Sequence, residues 1–273
     1  MPELPEVETV RRSLALEVPG LRIMAVGGQS IAMRRPLDVE RLATLATGRR
    51  FLEPRRRGKY LLLDFEPPGS LLAHLGMSGR VQLVDSSSPF RDHTHLKLDL
   101  DDGRQLRFVD PRRFGFVDWL EPGEEATDGS LAALGIEPLD PGLDGLLPPL
   151  YHARRAPLKS LLLDQRLVTG IGNIYAIEAL WRAGIHPRRA GNRTSLSRLV
   201  GLARSVQEVL AEAITQGGTT LRDFAGPDGE SGYFAVRLSI YGRQGEACLQ
   251  CGTIIRAEVI GGRTTAWCPA CQR

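Results

Sequence analysis

The sequence predicts an α+β multidomain chain: an N-terminal helix, an antiparallel β-sandwich, a helical C-terminal half and a terminal four-cysteine hairpin. Three observations predict it. Short runs of alternating apolar and polar residues recur from Tyr60 to Leu120, helical spacing takes over after residue 150, and all four cysteines lie beyond residue 247. The 273 residues suffice for two modest cores.

The first helix is expected over 5–18. Pro5 suits a first helical position, Glu6 and Glu8 fall where the helix dipole favours acids, and Val7, Val10, Leu14 and Val18 form an apolar stripe. Strands follow at Tyr60–Phe65, Leu71–Leu75, Arg80–Val84, His95–Leu100, Gln105–Val109 and Gly115–Leu120. Turn signals such as Pro67-Pro68-Gly69 and Asp101-Asp102-Gly103 separate them. That spacing indicates a sandwich or barrel. The first domain is placed at 1–135. Residues 136–150, rich in proline and glycine, read as a linker. Helices are then expected at Pro157–Gln165, at Ile174–Arg182 with Asn173 as N-cap, and at Ser195–Gln216, within a second domain of 151–235. Asn173 follows a Gly-x-Gly turn, so ordinary capping and anion binding are both open to it. Residues 221–234, with three glycines and a proline, read as a lid. The remainder, 236–273, is the hairpin domain.

Cys248-x2-Cys251-x16-Cys268-x2-Cys271 has the spacing of a four-thiolate structural zinc site. Two disulfides are the alternative, and a reducing compartment disfavours them. With all four ligands from protein, no coordination position stays open for catalysis. Gly261-Gly262 reads as the hairpin turn, which puts Arg263 at the tip.

Charge is unevenly distributed. Residues 1–150 carry a net −4 and residues 151–273 a net +7, with no acid between Glu178 and Glu208. Such asymmetry suits a polyanion, although a solvated arginine face is the simpler reading. Arginine supplies 32 of 35 cations, so Lys59, Lys97 and Lys159 stand out as positions that either call for a titratable amine or compact ammonium or are lysine by chance. No run approaches the roughly 18 apolar residues of a membrane span. The acidic start lacks a signal-peptide core, so a soluble, intracellular, cytoplasmic chain is expected.

Pro2 is small enough to permit removal of Met1, which would leave a prolyl secondary amine. An α-amino group titrates near 7.7–8.0, so at neutral pH far more of it is unprotonated than of a lysine. Such an amine attacking a sugar C1′ gives an iminium, an electron sink suited to elimination. Glu3 and Glu6 supply carboxyls beside it.

Several ordered motifs then converge. They are Pro2-Glu3-Leu4-Pro5-Glu6-Val7-Glu8-Thr9, Gly58-Lys59-Tyr60-Leu61-Leu62, His74-Leu75-Gly76-Met77-Ser78-Gly79, Asp110-Pro111-Arg112-Arg113-Phe114-Gly115, Gly170-Ile171-Gly172-Asn173-Ile174-Tyr175-Ala176, Gln216-Gly217-Gly218-Thr219-Thr220, Tyr241-Gly242-Arg243 and the cysteine finger. Over its full length the chain resembles the formamidopyrimidine-DNA glycosylase family. The resemblance implies a β-sandwich domain, a helix–two-turns–helix module and a C-terminal zinc finger. It also implies a base-excision enzyme, monomeric on damaged double-stranded DNA, that removes 8-oxoguanine and formamidopyrimidines and then cuts by β,δ-elimination. By resemblance, Pro2 is the nucleophile, Glu3 the proton donor, Lys59 serves β-elimination and Arg263 δ-elimination. Met77, Arg112 and Phe114 match void-filling positions. His93, Arg154, Lys159, Asn173 and Tyr241 match DNA-contacting ones. An endonuclease VIII-like enzyme for oxidised pyrimidines and a non-catalytic zinc-finger DNA binder are the alternatives.

Overall fold

A computed structural model describes residues 2–217 and 238–273. The expected lid, 221–234, and Met1 lie outside the described residues. Two compact units divide the chain at Ala132/Ala133. The hairpin expected as a separate third domain falls in the second unit.

In the first unit, α1 (Leu4–Glu17) begins one residue before the predicted Pro5 because Glu3 is its N-cap. The Glu6 carboxylate accepts the Glu3 amide at 2.8 Å, and the Glu3 side chain returns to the Glu6 backbone, a reciprocal capping box. Two elements precede the predicted strands. They are β1 (Ile23–Gly28) and α2 (Val39–Ala46), the latter capped by Asp38, whose carboxylate accepts from the Arg41 amide at 2.9 Å. Short strands β2 (Arg50–Phe51) and β3 (Arg55–Arg57) follow.

The predicted strands are all present, with ends shifted by a residue: β4 (Tyr60–Glu66), β5 (Ser70–His74), β6 (Arg80–Asp85), β7 (Thr94–Leu100), β8 (Arg104–Val109) and β9 (Phe116–Leu120). They form two antiparallel sheets, β1-β7-β8-β6 and β2-β4-β5-β9, with β3 also on β4. Leu61 pairs with Ala73, which pairs with Val117, while Leu63 pairs with Leu71, which pairs with Trp119. This row meets Val81, Leu83, Leu96, Leu98, Leu106 and Phe108 from the other sheet in one core. Val7, Val10 and Leu14 of α1 belong to that core too, so the N-terminus is held by apolar burial as well as by its cap.

The second unit corrects one expectation. The stretch read as a linker contains α3 (Leu143–His152), with Pro148 and Pro149 inside it. Leu143, Leu147 and Tyr151 recur at i, i+4 and i+8 and are fully buried, so tertiary packing overrides the composition. Then come α4 (Leu158–Leu163), α5 (Asn173–Arg182) and α6 (Leu196–Thr215). Gly172, in extended conformation, is the N-cap of α5; Asn173 is the first helical residue rather than the cap. The hairpin β10 (Arg256–Ile260) and β11 (Arg263–Trp267) closes the chain, with Ile260 opposite Arg263 across Gly261-Gly262. Both glycines have positive φ, +59 and +74, as a two-residue turn of this hand requires. Among the described residues, no helix is long and apolar enough to cross a membrane.

Candidate active site and nucleic-acid interface

In the first unit, Pro2 and Glu3 are buried at the head of α1, Glu3 being 1% exposed. One turn along, the Glu8 carboxylate is gripped by Arg11, Arg12 and Arg56 at 2.9–3.1 Å. Burial works to raise its pKa, but the hydrogen bonds from Arg11, Arg12 and Arg56 outweigh that and hold it below the usual carboxylate range. Arg56 also donates to the Gly58 carbonyl at 3.0 Å. Glu8 and Arg56 therefore tie the head of α1 to the turn that carries Lys59, between β3 and β4.

Lys59 is half-buried there. Beside it lies His74, which the sequence places in a motif but without a role. Its ring is 4.9 Å from that of Tyr60, and its Nδ1 accepts the Gly76 amide at 3.0 Å. Burial, then the charges of Arg34 and Lys59, push its pKa down to about 3. The imidazole is thus neutral, with the proton on Nε2. A cationic neighbour would repel the Lys59 ammonium; a neutral one does not.

Two loops carry the void-filling candidates. Met77, 38% exposed, sits between β5 and β6, and Arg112 and Phe114, 47% exposed, sit between β8 and β9. The Arg112 guanidinium lies 4.8 Å from the centre of the Phe114 ring. The loops touch through backbone: a Cβ on Gly76 (φ +60) would fall 2.3 Å from the Phe114 carbonyl carbon. Asp110, fully buried, joins them. It accepts from Ser78 Oγ at 2.6 Å, from the Gly115 amide at 2.8 Å and from the Arg112 amide at 3.3 Å. Sequence reasoning gave Asp110 no role, although Asp-Pro after a strand is a turn signal. His93, at φ +67, accepts the Asp110 amide on its carbonyl at 3.0 Å. It is exposed on a cleft of about 370 Å³ shared with Arg91, Lys97 and Arg113, a cationic surface suited to phosphate.

In the second unit, Arg263 is exposed on the hairpin turn. Asn173 donates from Nδ2 to the Thr264 carbonyl at 3.2 Å, and its buried Oδ1 has no partner among the described residues. Arg154, half-buried, donates to the Leu150 carbonyl of α3. The Tyr241 amide donates to Glu178 at 2.8 Å. Ser239 and Ile240 donate to the same carboxylate, so α5 anchors the segment that leads into the finger.

Lys159 departs from its expected role. It is 0% exposed, and its ammonium donates to the Ile260 carbonyl at 3.2 Å, the Arg263 carbonyl at 3.3 Å and Thr265 Oγ1 at 2.5 Å. Burial, then the charge of Arg263, lowers its pKa to about 8. All three of its donors face protein oxygen, which leaves none turned outward for a phosphate.

The four sulfurs lie within 4.8 Å of one another, with Cys251–Cys268 at 3.5 Å and Cys248–Cys271 at 3.9 Å. A disulfide is about 2.05 Å, whereas thiolates 2.3 Å from one tetrahedral ion stand about 3.8 Å apart. The cysteines are free and fit zinc. Hydrogen bonds from Thr253 pull the Cys251 thiol down, toward the thiolate a metal requires. Behind the sulfurs, Gln272 accepts from the Cys268 amide at 2.8 Å and donates to the Ile185 carbonyl at 2.9 Å, locking the finger to the helices.

Residues 1–117 match the formamidopyrimidine-DNA glycosylase N-terminal domain, 134–225 the H2TH domain of the same proteins, and 245–273 the zinc finger found in FPG and IleRS. A curated formamidopyrimidine-DNA glycosylase from Xanthomonas campestris is 48% identical over 274 residues, covering both chains completely. The solved MutM (Fpg) protein of Thermus thermophilus shares 42% identity and a TM-score of 0.87, over 99% of this chain and 98% of that one. Lactococcus lactis Fpg on DNA containing an abasic site shares 33% identity and a TM-score of 0.90, over 99% of each chain.

Proposed function

The chain belongs to the formamidopyrimidine-DNA glycosylase family, and from that premise we propose how its residues divide the work of a bifunctional DNA glycosylase and abasic-site lyase. Its substrates are 8-oxoguanine and formamidopyrimidines in duplex DNA, bound by a monomer. The lesion must leave the stack, which costs a few kcal/mol and costs least for a damaged base. Met77 and Phe114 enter the vacated space, and Arg112 offers its guanidinium to the unpaired partner base.

The Pro2 nitrogen, freed of Met1, attacks C1′ as the bond to the base breaks. Opening of the sugar ring, with Glu3 delivering a proton to the ring oxygen, leaves a Pro2 iminium. That cation draws electrons from C2′, whose proton is lost as the 3′ phosphate departs; Lys59 serves this step. Loss of a second proton expels the 5′ phosphate, with Arg263 serving the leaving group. His93, Arg154 and Asn173 hold backbone phosphates, and Tyr241 stands with them. Zinc supplies rigidity, since Cys248, Cys251, Cys268 and Cys271 complete its coordination. Residues 1–135 carry Pro2, Glu3 and Lys59, and the helical and hairpin segments supply Arg263 and further contacts to DNA.

The observation that carries this reading is the hydrogen bond that Arg56 donates to Glu8, which ties the head of α1 to the Lys59 turn. The nucleophile, its acid and the lysine then stand on one frame. The oxidised-pyrimidine reading is not favoured, because the curated relatives that match the whole chain at 48–49% identity carry the formamidopyrimidine name. Borohydride reduction on abasic-site duplex tests the assignment. Wild type is expected to form a covalent adduct and Pro2→Gly to lose nearly all of it; equal adduct from both would reject Pro2 as nucleophile and favour a DNA-binding module.

A further inference from the structure

A lone two-stranded hairpin is only marginally stable in water, so what packs beneath the tip that carries Arg263 bears on its height and direction. Lys159 stands there. It projects from the first turn of α4, is fully buried, and its three N–H groups meet three oxygens. Two are the carbonyls of Ile260 and Arg263, the residues that face each other across the two-glycine turn. The third is Thr265 Oγ1, which donates its own proton to the Arg263 carbonyl at 3.0 Å. The Arg263 carbonyl therefore receives two hydrogen bonds from a closed network.

Nearby contacts hold the same hairpin from the sides. Asn173 takes the Thr264 carbonyl. Arg188 donates to Glu258 at 2.6 Å and to the Val259 carbonyl at 3.4 Å. A chain with 32 arginines keeps lysine at this position. The geometry explains the choice, because a compact ammonium with three diverging donors fits under a turn where a planar guanidinium would not.

We propose that Lys159 is a positioning residue for Arg263: from beneath the turn it fixes the Arg263 backbone, and so governs the second strand cut without itself binding DNA. The inference rests on the reading of Arg263 as the group that serves δ-elimination. The network aligns the tip for one step only, so its loss separates the two cuts.

The test compares wild type with Lys159→Met, Thr265→Val and Arg263→Ala on an abasic-site duplex, scoring products cut once against products cut twice. Lys159→Met is expected to lower the ratio of doubly to singly cut product by roughly ten- to a hundredfold, the scale of a misplacement of about 1 Å. Borohydride trapping and zinc content should stay within about twofold of wild type. Backbone amides of 256–267 should exchange hydrogen faster. Thr265→Val, which removes one acceptor and leaves the charge, should shift the ratio the same way by less. Binding of a tetrahydrofuran-containing duplex should keep its salt dependence, whereas a lost phosphate contact would lower the slope of log K against log salt by about 0.9.

An unchanged product ratio in Lys159→Met, or that fall in salt slope, overturns the proposal. If Arg263→Ala also leaves the ratio unchanged, the assignment of Arg263 falls and takes the inference with it. If Arg263→Ala lowers the ratio and Lys159→Met does not, the inference alone falls.

Discussion

His74 shows how one side chain's surroundings decide what its neighbour can do. Buried against Tyr60 and accepting from Gly76, it stays neutral beside Lys59, with a pKa near 3 set first by burial. The unfolded chain binds the proton that the folded one excludes between about 3 and the ordinary value of 6.5. Stability is therefore expected to fall as pH drops below about 6.5, by up to about 1.4 kcal/mol per pH unit from this group. Denaturant unfolding of wild type and His74→Gln from pH 7.5 to 4.5 checks it. The gap between them should narrow with acid, and a constant gap would show that His74 does not titrate in this way. At this scale the sequence was partly legible. Cysteine spacing and the Pro2-Glu3 opening point to chemistry because each needs only local order. Lys159 resembles a phosphate ligand in sequence, and nothing short of the hairpin folding over it reveals the three oxygens around its ammonium.

Alternation and turn residues located β4 to β9 closely, since a half-buried strand writes its own period. Helix α3 was missed because two prolines and two glycines mask Leu143, Leu147 and Tyr151, whose spacing was the available signal. The stretch from residue 19 to 59 holds short elements whose pairing is set by distant partners, such as β1 on β7. Between β5–β6 and β8–β9, the pair of loops bearing Met77, Arg112 and Phe114 depends on Asp110. Asp110→Ala is expected to cost about 2–4 kcal/mol, through loss of charged hydrogen bonds and orphaned amides. It should also slow lesion excision more than abasic-site trapping. Urea denaturation and paired activity assays check this, and equal slowing of both would place Asp110 in folding alone.

Across the whole molecule there are two compact units, and each has its own core. Removing zinc by chelation is expected to release the hairpin and weaken duplex binding on the order of a hundredfold, while the β-sandwich keeps its circular dichroism. Unchanged affinity would mean that the finger does not touch DNA. The polarity of charge along the chain suggested a half suited to a polyanion, but it could not separate residues exposed to a phosphate from residues that hold the hairpin. Every step after base loss runs through the prolyl nitrogen, and peptide mass mapping of the borohydride-reduced adduct tests that directly. The deoxyribose remnant should sit on an N-terminal peptide that begins at Pro2. A remnant on Lys59 or another lysine, or full activity in protein that retains Met1, would contradict it.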